Sequence, residues 1–122
     1  MRNMSFALTT DQVLAGTKRV TRRTGWRTLK PGTLVQPVLK CMGLRPGERV
    51  QALRNPIRIV SVRREPLSKL TEDITYGIAE CVLEGFGNDP ALCHPSQFVT
   101  FFCNTHRCTA DAEVTRIEFE YT

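Results

Sequence analysis

Apolar residues in this chain fall into short runs, some spaced by two positions and others by three or four. The clearest is the last: Thr115, Ile117, Phe119 and Tyr121 alternate with Arg116, Glu118 and Glu120. Successive strand side chains point to opposite faces, so this pattern predicts a half-buried strand with one solvated face. Strands are also predicted over Phe6–Leu8, Lys18–Arg23, Leu34–Cys41, Arg49–Leu53 and Ile57–Arg64. Pro37 marks the third of the six, in chain order, as an edge or bulged strand, because proline cannot donate to a ladder.

Helical spacing appears three times. Thr9-Thr10-Asp11-Gln12 reads as a capping box opening a two-turn helix, with Val13 and Leu14 inward and Gly16 as a left-handed stop. Ile74, Ile78, Cys81 and Val82 form a second stripe, in a helix capped by Thr71 or Thr75 and ended by Gly85. Pro95 suits the first position of a third helix, striped by Phe98, Val99, Phe102 and Cys103. Strands and short helices without a βαβ rhythm predict an α+β domain with a small curled or closed sheet.

The 122 residues, 41% of them hydrophobic, fit one domain spanning 1–122 with a modest core. No signal-peptide run and no membrane-spanning run is present, which predicts a cytoplasmic protein with no membrane association. The five cysteines, an odd number, predict reduced thiols, with Cys41 and Cys81 packed as small hydrophobes. Cys93, Cys103, His106 and Cys108 are ligand types for zinc, but their spacing is not that of a zinc site, so neither metal nor cofactor is expected and His106 reads as a surface or loop residue. Oligomeric state is not readable from the pattern.

Charge changes the picture more. Residues 1–64 carry 14 Lys/Arg and two acids, while residues 65–122 carry three Lys/Arg and ten acids. This asymmetry predicts either a basic face for a polyanion or two halves that interleave and pair their charges. Arg19, Arg22, Arg23, Arg27 and Lys30 surround Trp26 with no acid among them. Such cations track phosphates, and the indole offers a stacking platform for an unpaired base. In the same stretch Lys18, Thr21 and Arg23 follow Gly16. A desolvated lysine among arginines becomes a usable base, and a nearby threonine hydroxyl a nucleophile. In a regular strand Thr21 and Arg23 share a face opposite Lys18, unless Lys18 lies in the turn before the strand. Glu84 closes a helix where the partial negative charge disfavours an acid, which implies a partner cation, Lys18 or an arginine.

Gly16, Lys18 and Arg23 resemble the signature of the ASCH domain family: Gly-x-Lys, with Arg five residues after the lysine. Glu84-Gly85-Phe86 followed by the Pro95–Phe102 helix resembles its central acidic element and following helix, and Val114–Phe119 its closing strand. The resemblance runs from about Phe6 to Tyr121 and implies a PUA-like mixed β-barrel with about three short helices and a basic cleft. It implies RNA or nucleotide binding, for which the basic stretch supplies Lys18, Arg19, Arg22, Arg23, Trp26 and Arg27. One branch of the family removes the acetyl group of N4-acetylcytidine. For such a modified nucleoside the resemblance implies Lys18 as base, Thr21 as nucleophile, Glu84 as acid/base and Arg23 as the group orienting the substrate. Other members are ribonucleases, and a protein partner in a phage or host defence system is a further class. Many members carry an acid where this chain has Thr21, which favours the hydrolase branch. Pro37–Arg54 is longer than in minimal hydrolases.

Overall fold

The computed structural model, which describes residues 1–122, contains five strands and four helices. Strand β1 (Asn3–Ser5) leads to helix α1 (Thr10–Ala15), then β2 (Val20–Arg23), β3 (Leu34–Val38) and β4 (Ile57–Pro66). Helices α2 (Lys69–Glu72) and α3 (Ile74–Cys81) follow, then a π turn over Val82–Phe86, helix α4 (Pro95–His106) and strand β5 (Glu113–Tyr121). The strands form one sheet in the order β1-β3-β4-β5-β2, antiparallel except for the parallel β1–β3 pair.

The sheet curls. Strands β1 and β5 are separated by two others, yet the Phe6 ring, just past β1, lies 5.9 Å from Phe119 of β5. In a flat sheet three strand spacings amount to about 14 Å. The far edge closes too, since the Arg23 guanidinium of β2 sits 4.9 Å over the Phe6 ring. A bulge between Ile59 and Ser61 bends β4 to match. The curl encloses one core of Met4, Phe6, Val13, Leu29, Val35, Ile57, Ile59, Ile117 and Phe119. A second core holds the helices against the end of the sheet, built from Leu67, Leu70, Cys81, Phe86, Phe98, Val99, Phe102 and Val114. This is the α+β, curled-sheet architecture expected, with four helices rather than three.

Several local expectations give way. The first strand precedes Phe6, although the Phe6 amide still donates to Val38 O at 2.9 Å. No capping box forms: the Thr9 side chain makes no cap bond, and Thr10 Oγ1 bonds back to Phe6 O at 2.9 Å instead. Leu14 is half exposed. Strand β3 is internal rather than an edge. Pro37 lies beyond Leu34 and Val35, the β3 residues paired with β4, and its carbonyl accepts from the Leu53 amide of the segment before β4 at 3.0 Å. Arg49–Leu53 is not a strand and makes only an isolated bridge, Val38 to Ala52. Cys41 is exposed rather than packed.

The largest reversal lies in the middle. The expected second helix forms as α3, but its cap is Asp73, whose side chain accepts from the Tyr76 amide, and the unexpected short α2 precedes it. Of its apolar stripe only Cys81 is buried: Ile74, Ile78 and Val82 point outward, 55%, 50% and 53% exposed. The buried face is Gly77, Glu80, Cys81 and Glu84. A side chain on Gly77 is excluded, since a Cβ there would lie 1.9 Å from Leu70 O. Helix α3 therefore touches α2 backbone to backbone and turns two carboxylates toward the sheet. No helix is long and apolar enough to cross a membrane.

Candidate functional site

The site is built from the turn after α1. Gly16 adopts φ 75, and the Thr17 amide returns to Gln12 O at 3.0 Å. The Lys18 carbonyl accepts from Tyr121 Oη at 2.6 Å, and the Arg19 amide donates to Leu83 O at 2.7 Å. Pinned on both sides and ahead of β2, Lys18 is released from strand alternation. It enters the same cleft as Thr21 and Arg23. The opposite wall comes from the π turn. Gly85 takes φ 100 and presses so close that a Cβ would meet the Gln12 side chain at 2.8 Å. A residue restricted to ordinary backbone angles would not make this turn.

Lys18 Nζ donates to the Glu84 carboxylate at 2.9 Å and to the Glu84 backbone carbonyl at 2.8 Å. The partner cation demanded by an acid at a helix end is thus Lys18, which meets both the acid and the helix terminus. Arg22 donates to the second Glu84 oxygen at 2.9 Å, and through its other terminal nitrogen to Glu80 at 2.6 Å and Glu65 at 3.3 Å. Arg116 completes the network with a bidentate grip on Glu80, at 2.5 and 3.1 Å. Arg22 Nε alone has no partner. In this network Lys18, Arg22 and Arg116 meet Glu84, Glu80 and Glu65, with Arg63 on the outer side of Glu65.

Burial pushes the Lys18 amine below its ordinary 10.5, with Glu84 only partly opposing this and Arg23 and Arg22 adding to it. Burial likewise lowers Arg23, to about 10, partly offset by Glu84. For Arg22 burial acts in the same sense, but Glu84 and Glu80 outweigh it and raise the guanidinium above its usual value. Thr21 Oγ1 accepts from Arg23 Nε at 3.1 Å. That contact occupies an oxygen lone pair, leaves the hydroxyl proton to be removed, and would stabilise the resulting alkoxide.

Burial disfavours the charged form of Glu80, but the Arg116 and Arg22 hydrogen bonds prevail and hold its carboxyl at about 2 instead of 4.5. A carboxylate depressed on folding contributes stability that is fully present above its unfolded value and is lost as pH falls through the folded one. Thermal stability is therefore expected to decline between pH 4.5 and about 2. Glu80→Gln should be less stable at neutral pH and should show a shallower acid decline in melting curves. An unchanged acid slope would contradict this assignment.

The cleft has a volume of about 280 Å³ and lies on the seam between the two cores, with Phe6 on one side and Phe86, Phe98, Phe101 and Phe102 on the other. It joins Lys18, Thr21, Arg22, Arg23 and Glu84. Trp26, Arg19 and Arg27 lie outside it, and Arg22 borders it only as a member of the buried ion network. Arg22, expected to contact nucleic acid, has a fully buried side chain committed to carboxylates. Trp26 adopts a left-handed φ of 58, packs on the first core, and has the Arg2 guanidinium 3.9 Å over its ring. Arg19 and Arg27 are exposed, outside the cleft. Arg116, expected on a solvated face, is buried against Glu80. Sequence reasoning missed Glu65, Glu80, Arg116 and the lining position of His106; only the spacing of Phe98, Phe102 and His106 at i, i+4 and i+8 hinted at the last. No three His, Cys, Asp or Glu side chains are grouped to hold a metal ion. Cys93, Cys103 and Cys108 are free thiols.

The charge asymmetry is partly internal. First-half Lys18, Arg22, Arg58 and Arg63 pair with second-half Glu84, Glu80, Glu120 and Glu65. Arg19, Arg27 and Lys30 are exposed and lie in none of the protein's ion pairs.

No protein-family model matches the chain, and no curated protein matches it. Among solved structures it is similar to the crystal structure of an ASCH domain from Lactobacillus crispatus JV V101. The TM-score is 0.58 at 16% sequence identity, covering 98% of this chain and 77% of that one. The chain thus shares its fold with that ASCH domain.

Proposed function

We propose that the cleft is a hydrolytic site for the amide of a nucleoside-sized modified base, of the N4-acetylcytidine kind. One observation carries this reading: an amine of lowered pKa, a threonine hydroxyl contacted by an arginine, and a carboxylate paired to that amine all line one cleft. Its volume of about 280 Å³ is at the low end for ligand pockets, which suits a single nucleoside better than a length of RNA. The aromatic wall suits a planar base.

In this reading neutral Lys18 takes the Thr21 proton as the Thr21 oxygen bonds to the amide carbon. The C–N bond breaks, Lys18 returns the proton to the departing amine, and water then hydrolyses the threonyl ester to release the carboxylic acid. Glu84 holds Lys18 in place and serves the hydrolytic proton transfers. Arg23 faces the developing negative oxygen. Wild-type protein incubated with N4-acetylcytidine should release cytidine and acetate, with kcat rising with pH as Lys18 loses its proton. Absence of cytidine across neutral to alkaline pH would remove the reading. A second reading, binding of RNA without turnover, is favoured by the unpaired exposed Arg19, Arg27 and Lys30. Salt-sensitive gel shift of short RNA without turnover would select it.

A further inference from the structure

His106 lies on the last turn of α4 and lines the cleft while staying exposed. It ends a continuous aromatic series. Phe86 and Phe98 are tilted at 5.9 Å, Phe98 and Phe102 at 6.3 Å, and Phe102 and His106 stack at 4.0 Å with 17° between their planes. The last contact alone is a parallel stack, so one imidazole face rests on a buried phenyl ring. The ring is fixed a second way: Nδ1 lies 3.1 Å from the Phe102 carbonyl oxygen. A carbonyl only accepts, so Nδ1 carries a hydrogen in this contact, and in the neutral ring Nε2 is a bare acceptor. Arg107 follows in the left-handed region (φ 53) and ends the helix there.

A surface histidine without a role needs neither restraint. Two restraints remove both rotations of the side chain, which gives a flat, pre-organised platform at the cleft mouth. We propose that His106 is a ligand-contacting, specificity-determining residue that stacks on the planar heteroaromatic ring of the bound ligand. This rests on the reading of the cleft as a nucleoside-sized site. The reacting amide would lie toward Lys18, which is 5.9 Å from the Phe86 ring at the other end of the series.

The test uses the whole chain, with cytidine and N4-acetylcytidine as ring ligands and N-methylacetamide as a ring-free amide. Wild type, His106→Ala and His106→Phe are compared by calorimetric Kd and by KM and kcat. His106→Ala should weaken both ring ligands by about tenfold, the range of one lost base stack. For N4-acetylcytidine the change should appear in KM more than in kcat, and N-methylacetamide, which has no ring to stack, should show a smaller effect than either ring ligand. His106→Phe restores the platform and should recover most of the affinity. Ring binding by His106→Ala equal to wild type would overturn the inference while leaving turnover, and hence the hydrolase reading, intact. Ring binding that depends on His106 without cytidine release would support the inference and overturn the hydrolase reading. Wild type that binds no ring ligand would overturn both.

Discussion

Lys18→Ala is expected to lower turnover of an acylated cytidine by about a thousandfold, within the range general acid–base groups supply. The fold should survive this change. Glu84 would still hold Arg22 at 2.9 Å, so no carboxylate is left alone in the interior. Lys18→Arg is the sharper variant. It keeps positive charge beside Glu84, but a guanidinium does not deprotonate in the working pH range and is not a base. Both variants should lose about that factor in assays of cytidine release while still melting cooperatively. Activity retained by Lys18→Arg would mean that charge, not proton transfer, is what the position supplies.

Arg22→Met is expected to destabilise the protein by about 3–5 kcal/mol, the cost of breaking a buried ion network from one side. The side chain is fully buried and is the only cation that touches Glu65, Glu80 and Glu84 together. Methionine fills similar volume, so the loss isolates the charge. Each acid keeps one further cation: Arg63 for Glu65, Arg116 for Glu80 and Lys18 for Glu84. This places the result toward the lower end of the range. A fall in melting temperature of about 10 °C would follow for a domain of this size. Combining it with Glu80→Gln should cost less than the two changes separately, because the second removes a charge that the first leaves under-compensated. A loss near zero in Arg22→Met would show that water reaches these carboxylates.

The two variants separate roles that share the Glu84 carboxylate. Lys18 faces the cleft, and its loss should appear in rate. Arg22 lies behind the carboxylate, and its loss should appear first in stability. Its effect on rate would come through the placement of Glu84, which makes it a positioning residue.

By itself the sequence determined whatever depends on local chemistry. Strict alternation from Thr115 to Tyr121 set β5, Gly16 stopped α1 in the left-handed region, and Pro95 began α4. Lys18, Arg23 and Glu84, singled out in the sequence, meet at one cleft. Tertiary structure decided which face of each element looks inward. Periodicity tells which residues share a helical face, and the apolar stripe Ile74, Ile78 and Val82 was legible, but it lies outside. Glu80 and Glu84 face in because cations from β2 and β5, distant in sequence, offset their desolvation, a free-energy gain no local window contains. Lys18 joined Thr21 for the same kind of reason: contacts to Tyr121 and Leu83 place it in a turn, where strand alternation does not apply. His106 gained its place only when α4 docked on the curled sheet and carried the end of its aromatic stripe to the mouth of the cleft.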